Sequence, residues 1–359
     1  MKKRIKINEL AQYRHVQFTN GLNKQSGFIF SLLMVKLKKE IYQILKKNKL
    51  AKSDDPLDDK LEVGWTGEIP KIELNMEEAI GSTINKYMQA LRWVMLGNYA
   101  GKDAKAMAEK LGLVGKVIPG ILQSAYLNAI DAHREHHQDI TGDEAPEMPR
   151  SLLKASFSKI MERSDRFLAQ ALDQMKNNII HSLERTIDEK NFDNISKAHK
   201  DARDSVPSSD PASAVETASE RLSNVLSLKA VGKSFDVANR KNLINWGRTV
   251  ESEINLSAAT ATHQALAEIH GRGDDDVRVV WIAMEDEKTC DFCEKASKHP
   301  SGEFKFYYMS DFKPSGFNYG KKKSEWKLTI PGAHINCRCR LVYVPRGFRI
   351  GSNGTISRD

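Results

Sequence analysis

Four cysteines and one histidine carry the chemistry of this 359-residue chain, and they fall in two tight clusters. The first is Cys290-Asp-Phe-Cys293; the second is His334-Ile-Asn-Cys337-Arg-Cys339, and no cysteine lies elsewhere. A Cys-x-x-Cys turn can aim two sulfurs at one centre about 2.3 Å away, and thiolate and imidazole ligands suit zinc better than hard, oxygen-seeking ions do. Cys337 and Cys339 are two positions apart, so on a strand both would leave the same face. Five donors thus stand for four tetrahedral places. Cys290, Cys293 and Cys339 are the first choices, with Cys337 and His334 competing for the last place or sharing it across metal states. Because the protein can fill every position itself, a closed, structural Zn2+ is expected. The competing reading is reduced buried cysteines or two disulfides; a chain of this size needs no covalent staples, and nothing marks it as secreted.

Signatures of catalysis are missing where they would be sought. There is no Gly-x-x-x-x-Gly-Lys, no Gly-x-Ser-x-Gly and no His-Glu-x-x-His. A catalytic zinc would need an open position and a carboxylate base, for which Asp286 and Glu294 are the nearby candidates. Asp286 serves equally well as a turn former or as a group orienting a ligand. The chain therefore reads as non-enzymatic, with a zinc hydrolase as a minor alternative.

The order Trp281-Ile-Ala-Met-Glu-Asp286-Glu-Lys-Thr-Cys290-Asp-Phe-Cys293, then Pro331-Gly-Ala-His334-Ile-Asn336-Cys337-Arg338-Cys339-Arg-Leu-Val-Tyr-Val, resembles the C-terminal module of the Mu F-like minor head proteins of tailed bacteriophages. The resemblance covers about the last seventy residues, and the insert between the clusters is longer and more basic than the family pattern. It implies a structural role in head morphogenesis: a virion protein in several copies near the portal, in contact with portal and capsid proteins and with packaged DNA, made in the host cytoplasm. The rival reading is a zinc-ribbon nucleic-acid-binding protein whose basic N-terminus, with Arg338, Arg340, Arg346 and Arg349, grips phosphate.

The elements that must position these residues are mostly helical. Residues 1–50 hold twelve Lys or Arg against two Glu, a local +10 within a total of +8, and read as a basic amphipathic arm: first a helix packed on its neighbours with a solvated lysine face, or else a surface toward DNA or an anionic membrane. Its helix, from Phe28, shows an apolar stripe at Leu33, Leu37, Ile41 and Ile44 or Leu45. The apolar run is about eight residues, too short for the roughly 20 that span a bilayer, so no transmembrane segment is expected. Residues 51–204 read as a helical body: a helix capped by Asn75 and Glu78, shorter helices at 104–111 and 117–137, and a long one over 151–203 that Asn191 to Asn194 could interrupt. His133 and His137, four apart, suggest either a metal pair or a cationic last turn. Residues 205–275 read as a linker, with Asp210 and Pro211 opening the next helix, and a second helical segment from Ser234 past Gly232. Residues 276–359 form the Cys/His module, opened by the strand-like run at Val277. The fold class expected is mainly α: an elongated helical body with a small C-terminal α+β zinc-stabilised module.

Overall fold

The computed structural model describes residues 4–6, 11–47, 51–52, 69–205, 226–270, 277–283, 289–313, 317–318, 320–330, 333–334, 337, 339–351 and 354–358. The expected cap at Asp210 and Pro211, and Asp286 and Arg338, lie outside these residues. Helices α1 (Ala11–Lys47), α2 (Ile69–Leu96), α3 (Lys102–Lys110), α4 (Ile121–Thr141), α5 (Arg150–Ser205) and α6 (Leu228–Ala265) build the body, and α6 runs on into a π-turn at Leu266–His270. A seventh helix, α7 (Asp291–Ser297), belongs to the C-terminal module. With 71 % of residues helical, the class is mainly α. At 1.5 Å per residue, the 56 residues of α5 extend about 84 Å.

The basic N-terminal segment is a central stave of the bundle. Helix α1 packs against α2, α4 and α6. Ile29, Phe30, Leu33, Met34, Leu37 and Ile41 are at most 1 % exposed. Phe30 stacks on Trp246 of α6 at 5.6 Å, and the buried Trp246 indole N–H donates to Ser26 Oγ at 3.0 Å. Some of its lysines serve the fold as well. Lys36 donates to the carbonyl oxygen of Leu111 at 2.8 Å, and Lys38 pairs with Asp236 of α6 at 2.8 Å. The stripe expected over Leu33, Leu37, Ile41 and Leu45 is thus real and packs on neighbouring helices, as the packed-helix reading expects, but the helix starts far upstream of Phe28.

Other boundaries also move, each for a local reason. Helix α2 begins at Ile69, because Pro70 suits a first turn, which leaves Asn75 inside the helix and not at a cap. Helix α4 starts only after Gly120, whose left-handed backbone (φ 70°) breaks the chain behind Pro119. Helix α5 continues through Asn191 to Asn194 without interruption. Helix α6 starts at Leu228 and contains Gly232, which is there for closeness: a Cβ at 232 would collide with the Tyr42 hydroxyl of α1.

The strands are short and mostly C-terminal. β1 (Arg4–Lys6), β7 (Phe348–Ile350) and β8 (Thr355–Arg358) form one antiparallel sheet, so the two ends of the described chain meet in it. β2 (Ala51–Lys52) and β3 (Leu226–Ser227) make a short parallel pair. β4 (Arg278–Ile282), β5 (Phe306–Tyr308) and β6 (Arg340–Tyr343) make the second three-stranded sheet, ordered β5-β4-β6.

This sheet docks on the body through a knot of histidines. His133, His136 and His137 of α4 and His270 of the π-turn gather round Tyr343 of β6; His270 stacks on the Tyr343 ring at 3.8 Å. His136 Nε2 must donate to the Tyr343 carbonyl, 2.8 Å away, which leaves its buried Nδ1 without a partner. His137 Nδ1 lies 3.3 Å from His270 Nδ1. Ile140, one turn on, joins the apolar contact with Val280, Val342 and Val344. The spacing that suggested a metal pair at His133 and His137 is therefore a joint between body and module; those two meet no third donor in ligand geometry among the described residues.

Two tests follow from this packing. Leu37→Ala should lower unfolding stability in urea by about 2–5 kcal/mol, as for a buried leucine; a solvated arm would give less than about 0.5. The joint should also be acid-sensitive. Burial pushes His136 down to about 4 and lowers His133, His137 and His270. Their neutral forms are favoured when docked, so docking is at full strength above the ordinary histidine value of about 6.5 and is lost as pH falls toward about 4. Hydrogen exchange in β4 and β6 should rise over that window while the bundle stays protected. His270→Phe, which keeps a ring on Tyr343 but cannot take a proton, should move the loss to lower pH; an unchanged midpoint would remove His270 from the joint.

Candidate metal centre

One strand pairing assembles the site. β4 and β6 run antiparallel with Trp281 opposite Leu341 and Ile282 opposite Arg340. The end of β4, which leads toward the first cysteine cluster, therefore lies beside the start of β6, which follows the second. Cys290, extended (φ −83°, ψ 153°), is the N-cap of α7, and Cys293 stands in the first turn of that helix. On the other side, the Cys337 N–H donates to the His334 carbonyl at 3.1 Å, a tight turn that folds the second cluster back on itself. Cys293, Cys337 and Cys339 are buried together with Trp281, Phe312, Ala333 and Leu341 in the module core.

All five expected donors come together. Cys290, Cys293 and His334 form one group whose ligand atoms lie within 4.8 Å of each other; Cys293, Cys337 and Cys339 form a second. Cys293 belongs to both. His334 Nε2 is 3.3 Å from Cys290 Sγ and 3.4 Å from Cys293 Sγ, and Cys293 Sγ is 3.7 Å from Cys337 Sγ. Around a tetrahedral ion with bonds of 2.0–2.3 Å, neighbouring ligands should stand about 3.6 Å (sulfur to nitrogen) or 3.8 Å (sulfur to sulfur) apart. The donors thus fit a metal ion, and none of the four cysteines is in a disulfide.

Electrostatics agree with this chemistry. Hydrogen bonds from Cys293 and Cys339 hold the Cys337 thiol well below the ordinary range, while the bond to Cys337 pushes Cys293 up. Three packed sulfurs can settle one negative charge among themselves, and further deprotonation needs a cation.

Side chains that the sequence did not flag fix His334. Trp326 stacks on its ring at 5.2 Å and meets Phe292 edge-on at 5.8 Å. Asn318, 4 % exposed, donates to the Ala333 carbonyl at 2.6 Å and so holds the backbone just before the histidine. The one hint was compositional: Trp326 is the sole tryptophan between the clusters. Of the carboxylates once considered as a base, Glu294 is exposed on α7, and no carboxylate joins either donor group among the described residues. Arg340, considered for phosphate, instead donates to Asn255 of α6 at 2.7 Å. Arg346 and Arg349 are exposed.

No protein-family model matches this chain, and no curated protein or solved structure matches it.

Sharing of Cys293 makes the five donors unequal. In metal-content analysis, Cys293→Ser should fall from about one ion per chain to below about a tenth, because it removes a ligand from either possible set. Cys339→Ser should retain metal at lower affinity. Equal loss in both variants would mean that Cys339 is as necessary as the shared thiol.

Proposed function

We propose that this chain is a structural, non-enzymatic minor protein of a bacteriophage head, whose C-terminal module is closed by one zinc ion. The observation that carries the reading is convergence among the residues of the resemblance to the Mu F-like family: Trp281, Cys290, Cys293, Cys337 and Cys339 lie in or against one small core, and the cysteines with His334 form two donor groups that share Cys293. Zinc fits a set of thiolates and one imidazole better than magnesium or calcium, which seek oxygen. We assign Cys290, Cys293 and His334 as ligands on their mutual distances; Cys337, whose Sγ is 3.7 Å from Cys293 Sγ, takes the fourth place, with Cys339 grouped with Cys293 and Cys337. A zinc held in this way links the start of α7 to the segment that precedes β6, and supplies folding energy to a module with only short strands.

The helical body suits a spacer or scaffold. It provides a helix of 56 residues, and no described helix is long and apolar enough to cross a membrane. The partners proposed are the portal and capsid proteins, with several copies in each virion and assembly in the host cytoplasm.

Co-expression with the portal, scaffold and major capsid proteins of the same phage tests the role. Purified procapsids should contain a few copies per particle, and Cys293→Ser should lower that copy number while leaving procapsid yield unchanged. A protein absent from procapsids, with neither portal nor capsid protein retained on it, would sink the head assignment and leave the zinc centre standing.

A further inference from the structure

Residues 313–327 carry five lysines and one glutamate between the two ligand clusters. Its described residues are held at several points. Asn318 donates to the Lys327 carbonyl at 2.7 Å and accepts from the Lys327 N–H at 2.9 Å, which closes the loop across nine residues. The Trp326 indole donates to the Lys321 carbonyl at 3.1 Å. At the base, Lys313 N–H donates to Leu328 at 2.8 Å and Ile330 N–H donates to Lys313 at 3.0 Å. Two ties fasten the loop to the metal centre: Trp326 on His334, and Lys323 on Asp291 at 3.1 Å, next to Cys290.

Most of the positive charge is left over once these bonds are made. Lys323 is matched by Asp291, and Glu325 accepts the Lys322 backbone N–H at 3.3 Å. The ammonium groups of Lys313, Lys321, Lys322 and Lys327 are exposed and enter no ion pair among the described residues. Lys321 sits over the ring of Phe317, itself 38 % exposed, at 3.1 Å from the centroid. Like charges gathered on a fixed loop repel each other and add nothing to folding, whereas a polyanion would neutralise them together.

We propose that this loop is a nucleic-acid-binding surface. Lys313, Lys321, Lys322 and Lys327 contact backbone phosphates, and Phe317 offers a ring face to a base. A lipid surface fits less well, because Phe317 is the one exposed aromatic among the described residues of the loop and, beside four lysines, provides little apolar area to insert. Zinc governs the surface indirectly, since the stack on His334 holds the loop in place. The proposal is independent of the head assignment; it rests on charge, exposure and attachment to the metal residues.

Fluorescence anisotropy of short labelled DNA, single-stranded and duplex, with full-length zinc-loaded protein tests it. Three to four phosphate contacts give a slope of log K against log salt of about −3 on duplex. Replacing Lys321, Lys322 and Lys327 with Gln should weaken binding at low salt by about tenfold or more and bring the slope toward about −1. The triple variant should keep its zinc and its helix content. Removing zinc with a chelator should weaken binding comparably, whereas Lys24→Gln with Lys39→Gln, on the exposed face of α1, should change it little. The proposal is overturned by a triple variant that binds like the unsubstituted protein, by equal loss in the α1 variant, or by tight binding to phosphatidylserine vesicles without DNA affinity.

Discussion

Pairing of β4 with β6 is the contact on which the C-terminal module depends. Four residues on each strand lie in register, and that alignment turns two clusters some forty positions apart into one group of donors. Strands this short are marginal by themselves, since an isolated pair has little apolar surface to bury. Two things offset this. Trp281, Phe312 and Leu341 pack a small core beneath the sheet, and the sulfurs and imidazole offer a cation the means to cross-link the two sides. Both stabilisers act on the same register, so a slip of one residue would remove the core and the donor set together.

The body and the module are joined by a second kind of interaction. The knot around Tyr343 consists of neutral imidazoles, two of which retain a buried, unpartnered nitrogen. The charged groups around it lie at its margins: Asp143 acts on His137, Arg278 on Tyr343, and Arg340 on the neighbouring His15. Such a joint is firm while the rings are neutral. It has no internal carboxylate among the described residues to offset a proton, which makes it responsive to acid.

Much of this architecture was legible in the sequence, for identifiable reasons. The apolar spacing from Leu153 to Leu183 persists long enough that the 56-residue helix could be placed within two residues at either end, and asparagines cost a helix too little to break it. Clustered cysteines announced the donor set because their spacing is itself the geometry. What failed depended on partners distant in the chain. The lysine-rich face of α1 left an anion-binding arm open beside a packed helix, because periodicity shows that a helix has an apolar side without showing that three other helices cover it. The histidines of α4 allowed a metal pair or a cationic last turn until His270 and Tyr343, over 130 residues away, were placed against them. Gly232 read as a helix boundary, whereas its role is to admit the Tyr42 hydroxyl.

Zinc K-edge X-ray absorption on the purified, reduced protein addresses the central claim most directly. A closed site built by the β4–β6 pairing predicts a first shell of three sulfurs at about 2.3 Å and one imidazole nitrogen at about 2.0 Å, with no oxygen. A shell containing a water oxygen, or zinc bound by fewer than three of these donors, would contradict a centre whose purpose is to hold the module together.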